Sequence, residues 1–260
     1  MKAVNLRQCK NSCGIIASIP HSSYKILPEM EKNLRSDIIL ANNDWFLREL
    51  YSFLDELDIV TVSANYSRYV IDVNRSIKDN INHEKYTKSL IYFKTTFNRE
   101  IYTELPDKDI INYRINEIYI PYHFCLLDKI NDVLKKRGRV YLLDLHSFYI
   151  QSKSDIVLGT RYGKTCSEQF LHIVYSAFVQ EGFTVKVDEI GLRGGYITYH
   201  YASMENVETI QIEIRYTAYI ENRFFGEEFL PKINYELFEK TQNRLKKVFT
   251  GIKKKLEYLK

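Results

Sequence analysis

The sequence predicts an α/β protein with a mixed, mostly parallel sheet covered by helices on both faces, and three observations carry that prediction. Short aliphatic runs alternate along the chain with segments of helical period, the pattern of strands joined by crossover helices. Two of these runs, Ile15-Ile16-Ala17-Ser18-Ile19-Pro20-His21 and Val140-Tyr141-Leu142-Leu143-Asp144-Leu145-His146, end in ionisable groups. The carboxyl ends of parallel strands are where such sheets bind their ligands. No Pro-, Gly- or Ser-rich linker, repeat or composition shift divides the 260 residues, so 1–260 are expected to form one domain with a substantial core.

The elements follow in chain order. Residues 14–19 read as a buried strand. Residues 36–57 read as a helix with Ile39, Leu40, Leu47, Leu50 and Leu54 at helical spacing, and 58–63 as the next strand. Helices are predicted from His83 to Arg99 and from Arg114 to Arg137. The second is closed by Gly138, which tolerates the left-handed conformation that ends helices, ahead of a strand over 139–145. A helix over 165–180 stops at Gly182 and leads into a strand over 183–187. Within a strand over 207–214, the alternation in Ile210-Gln211-Ile212-Glu213-Ile214-Arg215 puts Gln211, Glu213 and Arg215 on one face. A last helix spans 232–257.

Composition narrows the function classes. The net charge of +4 is mild, and its densest patches, Lys135-Lys136-Arg137 with Arg139 and Lys253-Lys254-Lys255, fall at helix C-termini, where cations complement the macrodipole. Despite 21 Tyr and 14 Phe, no run interleaves aromatic and basic residues as a single-strand groove would, so no nucleic-acid partner is expected. Cys9, Cys13, Cys125 and Cys166 make neither a disulfide framework nor a paired zinc motif and read as reduced thiols of a cytoplasmic protein. The N-terminus lacks an apolar signal core, and no window approaches ~18 uninterrupted apolar residues, so no membrane association is expected.

The chemistry lies at the strand ends. Ser67-Arg68-Tyr69-Val70-Ile71-Asp72-Val73-Asn74-Arg75 sets two guanidiniums, a carboxamide and a carboxylate beside a short apolar run, an anion-binding composition. His21 and His146 at strand ends suit Zn²⁺, which takes neutral imidazoles and carboxylates and leaves a position open in catalytic sites. Asp144, two residues before His146, projects to the same face and can orient it. His83, His123 and His172 lack such placement and are expected to be structural or exposed. Asp44, beside the only Trp, serves equally as a third ligand or as a solvated helix residue. Glu213 has the chemistry of a general base, or of a charge paired with Arg215 on its strand face. Arg68, Asn74 and Arg75 can clamp a substrate carboxylate, or form an exposed salt-bridge cluster. Gly194-Gly195-Tyr196 is a turn at which backbone can approach a ligand. Together these residues suggest a metal-dependent hydrolase acting on a carboxylate-bearing substrate.

In joint order the motifs resemble the N-formylglutamate amidohydrolase family. The matching segments are Ile19-Pro20-His21-Ser22, Asp44-Trp45 with Leu50-Tyr51, Ser67 to Arg75, Thr95-Thr96-Phe97, Asp144-Leu145-His146-Ser147, Leu158-Gly159-Thr160, Gly194-Gly195-Tyr196-Ile197-Thr198 and Gln211-Ile212-Glu213, covering residues from about 15 to about 222. The resemblance implies a zinc carboxypeptidase-like α/β fold and one Zn²⁺ held by His21, Asp44 and His146. It implies Glu213 as general base, Arg68 polarising the scissile carbonyl, and Asn74, Arg75, Gly195 and Tyr196 binding substrate. The implied reaction is N-formyl-L-glutamate plus water giving formate and L-glutamate, a step of histidine breakdown. Departures from the family pattern at Ser147-Phe148-Tyr149-Ile150, at Ile214-Arg215 and at Tyr199 remove basic or small polar residues and bear on the substrate side chain. The alternatives are a same-fold amidase or carboxypeptidase-like enzyme acting on another N-acyl amino acid, a peptide or a cell-wall fragment, and a binding protein without activity.

Overall fold

The computed structural model describes residues 2–9, 12–78, 88–149, 152–221 and 226–258. Within them β1 (Val4–Arg7), β2 (Ile15–Ile19), β3 (Val60–Ala64), β4 (Val140–Phe148), β5 (Ile156–Gly159), β6 (Val185–Val187) and β7 (Val207–Arg215) form one sheet in the order β1-β3-β2-β4-β7-β5-β6. The central strands β3, β2, β4 and β7 are parallel. β1 runs antiparallel on one edge, and β5 with its parallel partner β6 runs antiparallel to β7. Every residue of β2, β3 and β4 is buried, as a parallel sheet covered on both faces requires.

The two coverings follow from helical period. On one face α4 (Ile120–Arg137) sets Tyr122, Leu126, Ile130 and Val133 against Ile16, Val60, Val62, Val140 and Leu142. On the other, α5 (Glu168–Gln180) and α7 (Tyr235–Glu257) pack Phe170, Val174, Phe178, Leu245, Phe249 and Ile252 over Ile15, Ala17, Leu143, Leu145 and Ile212. Each such side chain contributes roughly 1.5–3 kcal/mol on full burial. Local signals fix the ends: Ser167 and Asn234 cap α5 and α7, and Gly138, at φ 74°, closes α4 with its N–H on the Leu134 carbonyl.

Several elements differ from their sequence prediction. Of the helix expected over 36–57, only α2 (Leu47–Leu50) and a 3-10 run, Ser52–Leu57, are helical, because Asn42 and Phe46 take left-handed φ of 59° and 58°. That break frees Asn43, Asp44 and Trp45 to bury their side chains. The helix expected from His83 to Arg99 begins outside the described residues, and 88–99 is irregular, with Leu90, Ile91 and Tyr92 buried from a loop. The helix expected to begin at Arg114 starts earlier, as α3 (Lys108–Arg114), and reaches α4 through a wide π turn, Ile115–Tyr119. β4 continues past residue 145 to Phe148, which places His146 inside the strand. α1 (Pro28–Asn33), α6 (Tyr196–Tyr201), β1 and β5 span four to six residues each, too few to show a period.

Candidate metal centre

β2 and β4 are hydrogen-bonded neighbours, so the residue after β2 and the carboxyl end of β4 bring His21 and His146 together, with ring centroids 5.0 Å apart. Asp44 joins them because its backbone N–H donates to the His21 carbonyl at 3.1 Å. The Asp44 Oδ2 lies 3.6 Å from His21 Nδ1 and 3.0 Å from His146 Nδ1, and one ligand atom from each of the three residues lies within 4.8 Å of the other two. These separations suit donors each roughly 2.0–2.2 Å from one ion. All three side chains are buried, so Asp44 is no solvated helix residue.

The outer nitrogens set the tautomers. His21 Nε2 is 2.7 Å from Asp72 Oδ1 and His146 Nε2 is 2.9 Å from Asp144 Oδ2. A carboxylate only accepts, so each Nε2 carries a proton, which for His146 makes the Asn74 Nδ2 at 3.2 Å a neighbour rather than a donor to it, and each Nδ1 is left facing Asp44. His21 Nδ1 has no hydrogen-bond partner, although it is buried. A lone pair aimed at a carboxylate is an arrangement that a cation between them satisfies, and two imidazole nitrogens with one carboxylate oxygen are a donor set that Zn²⁺ accepts. Without a cation, a proton on His146 Nδ1 meets the Asp44 carboxylate instead. Burial opposes charge on His146, but Asp144 and Asp44 outweigh it and raise the imidazole well above its usual range. Burial likewise raises the Asp44 carboxyl, and the hydrogen bond from His146 with the nearby imidazole of His21 more than reverses this, holding it below the carboxylate range.

Asp72, fully buried, ties the histidine to the arginines. Its Oδ1 accepts from His21 Nε2 and from the Asn74 N–H at 2.8 Å, and its Oδ2 accepts from Tyr92 Oη and from Arg68 Nη2 at 3.1 Å. Arg75 Nη2 lies 3.9 Å away. The arginines therefore do form an ion-pair cluster, but a largely buried one in the wall of a cavity of about 560 Å³ that also exposes His21, Asp44, Asn74, His146, Gly195 and Glu213. Asn74 is locked in place, its Oδ1 accepting from the Ile197 N–H at 2.8 Å. Tyr196 does not line the cavity; its ring stacks on His200 at 4.9 Å.

Glu213 pairs in register with His146 across β4 and β7. Burial first, then the charges of Asp44 and Asp144, push its carboxyl up to about 8 against the opposing pull of His146 and Arg68. Arg215 is committed elsewhere, to Asp155 at 3.2 Å and the Ser152 carbonyl, so Glu213 is not its partner. Asp72, Tyr92 and Gln211 join this network in addition to the predicted site residues. Asp72 stood in view as the carboxylate between two arginines, whereas nothing near Tyr92 in the sequence signals its contact. His123, expected to be structural, donates from Nε2 to the Val73 carbonyl at 2.9 Å and so braces the 72–75 turn. All four cysteines are free, and no helix among the described residues is long and apolar enough to cross a membrane.

The chain is similar to known proteins over most of its length. The profile of the N-formylglutamate amidohydrolase family matches residues 13–220. The N-formylglutamate deformylase of Pseudomonas aeruginosa is 29% identical over 224 residues, 80% of this chain and 83% of the relative. That of Pseudomonas putida is 26% identical over 219 residues, 80% of this chain and 82% of the relative. The crystal structure of N-formylglutamate amidohydrolase from Ralstonia eutropha superposes with a TM-score of 0.74 at 21% identity, covering 96% of this chain and 97% of that one, and shares the fold.

Proposed function

The chain belongs to the N-formylglutamate amidohydrolase family, and from that premise we propose that it is a zinc-dependent amidohydrolase that removes a formyl group from an amino acid with a free carboxylate, converting N-formyl-L-glutamate and water to formate and L-glutamate. One observation carries the reading: two imidazole Nδ1 atoms and the Asp44 carboxylate converge, unpaired at His21 Nδ1, in the same cavity wall as a buried carboxyl, Glu213. We read residues 1–260 as one catalytic domain.

His21, Asp44 and His146 would hold the ion, which when bound supplies Lewis-acid polarisation and lowers the pKa of water. Arg75 and Asn74 seat the substrate α-carboxylate, the guanidinium by its bidentate fork. Arg68, 4.0 Å from Asp44 Oδ1, donates to the oxygen that becomes negative as the formyl carbon turns tetrahedral. Glu213 takes a proton from the attacking water and returns it to the amine nitrogen as the C–N bond breaks, leaving formate and a free amino acid.

The cavity lining includes Phe148, Tyr149, Leu192 and Tyr216, which favours a second reading in which the substrate side chain is neutral rather than a γ-carboxylate. Steady-state turnover of N-formyl-Glu, N-formyl-Leu, N-formyl-Phe, N-acetyl-Asp and short peptides by zinc-reconstituted protein tests both. N-formyl-Glu leading the panel supports the deformylase, and an N-formyl amino acid with an apolar side chain leading it supports the second reading. No hydrolysis of any of them, or no metal dependence, overturns the proposal.

A further inference from the structure

Gln211 lies two residues before Glu213 on β7 and projects to the same face, almost fully buried. Its amide makes two hydrogen bonds whose directions are not interchangeable. The Gly195 backbone N–H, which can only donate, meets Oε1 at 2.8 Å. The amide nitrogen is thereby turned toward Glu213, and Nε2 stands 2.8 Å from Glu213 Oε1. That nitrogen has only hydrogens to offer, so Glu213 Oε1 is an acceptor whether or not the carboxyl carries a proton. Glu213 Oε2 is buried and has no hydrogen-bond partner.

We propose that Gln211 is a positioning residue that decides which oxygen of Glu213 exchanges the proton with the reacting water: Oε1 is held by the amide, and Oε2, which has no hydrogen-bond partner, is left to take the proton. The inference rests on the reading of Glu213 as general base. Gln211 is in turn anchored to the substrate-binding side of the site. A Cβ added at Gly195 would meet the Asn74 carboxamide at 2.3–2.7 Å, so the backbone that orients Gln211 is pressed against the residue assigned to the substrate carboxylate. Only glycine permits that approach.

Gln211→Met keeps the volume and removes both hydrogen bonds, and Gln211→Leu serves where the methionine variant does not fold. The expected result is a fall in kcat of roughly 10–100-fold, the usual loss when a partner that orients an active group is removed, with KM and bound zinc, measured by mass spectrometry, within about twofold of wild type. The decisive comparison repeats the substitution in Glu213→Gln, where no carboxylate remains to be oriented and kcat should change by less than about threefold. An equal loss in both backgrounds, or a loss carried by KM or by zinc content, marks Gln211 as merely structural and overturns the proposal. Full turnover by Glu213→Gln alone overturns instead the reading of Glu213 as the base.

Discussion

Arg68 and Arg75 both lie within 4 Å of Asp72, yet their surroundings assign them different work. Arg68 also approaches Asp44 and stacks its guanidinium 5.7 Å from the Tyr92 ring, which fixes it deep beside the candidate ligands. Arg68→Lys should therefore lower kcat with little change in KM, because its contact strengthens as the oxyanion forms. Arg75→Lys keeps charge but loses the planar fork, and steady-state kinetics should show it mainly as a higher KM or a lower kcat/KM. Small and equal effects would mean that neither arginine touches substrate. Asp72→Asn is expected to be worse than either, since it weakens the acceptor for His21 Nε2–H and leaves two largely buried guanidiniums without the carboxylate they share. Zinc titration should show affinity falling roughly 10–100-fold, and an unchanged affinity would remove Asp72 from the support of the site. Much of this site was legible in the sequence, because His21, Asp44, His146 and Glu213 each sit in a short motif. The role of Asp72 was not, because its partners His21 and Tyr92 are 51 and 20 residues away, and only folding makes them neighbours.

At the scale of elements, the π turn between α3 and α4 sets which residues of the long helix face the substrate side. It brings Tyr119 Oη to the Arg75 carbonyl at 2.8 Å and, one turn on, His123 Nε2 to the Val73 carbonyl, two braces on the turn that carries Asn74 and Arg75. His123 Nδ1 lies 2.9 Å from the Tyr201 hydroxyl, which also donates to the His123 carbonyl at 3.2 Å, and burial favours the neutral ring. Burial is the main cause that pushes its pKa down to about 4, with His200 adding to it and the Val73 and Asp144 contacts opposing. A depressed folded pKa gives stability that is fully present above the unfolded value near 6.5 and is lost as pH falls toward 4. Between pH 7.5 and 5 the loss amounts to roughly 1–2 kcal/mol. The drop in Tm between pH 7.5 and 5 should be smaller in His123→Gln than in wild type, and equal drops would show that His123 does not titrate in this window. Elements with a long period and a cap, such as α4, α5 and α7, were legible in the sequence. The departures at 36–57 and over 88–99 share a cause. Aliphatic and aromatic residues there recur at helical spacing but are buried from irregular backbone, and the left-handed turns at Asn42 and Phe46 that redirect the chain have no glycine to announce them.

Across the whole molecule, the candidate centre draws together the carboxyl ends of β2, β4 and β7 and the segment that precedes α2, so a bound ion cross-links the middle of the sheet. Binding to the folded state alone stabilises by about 2.7 kcal/mol at a hundredfold excess of free ion over Kd and about 4.1 kcal/mol at a thousandfold. At roughly 2–4 °C per kcal/mol for a chain of this size, zinc loading should raise Tm by about 5–15 °C, and a chelator should reverse it. The gain should also depend on pH, with a sign that follows from His146. Asp144 and Asp44 raise its imidazole above the usual value, so in the metal-free protein the protonated ring stabilises the fold fully below the unfolded pKa near 6.5, and that contribution fades as pH rises through the folded value. The ion requires the same Nδ1 without its proton, so loading must expel it. Calorimetric titration at pH 7 in buffers of different ionisation enthalpy should report about one proton released per ion, and the Tm gain on loading should grow between pH 6 and 8. His146→Gln, which cannot hold that proton, should release none from this position. Loading that releases no proton in wild type and gives a pH-independent gain in Tm would mean that His146 Nδ1 is not a ligand, and the centre would lose its second imidazole.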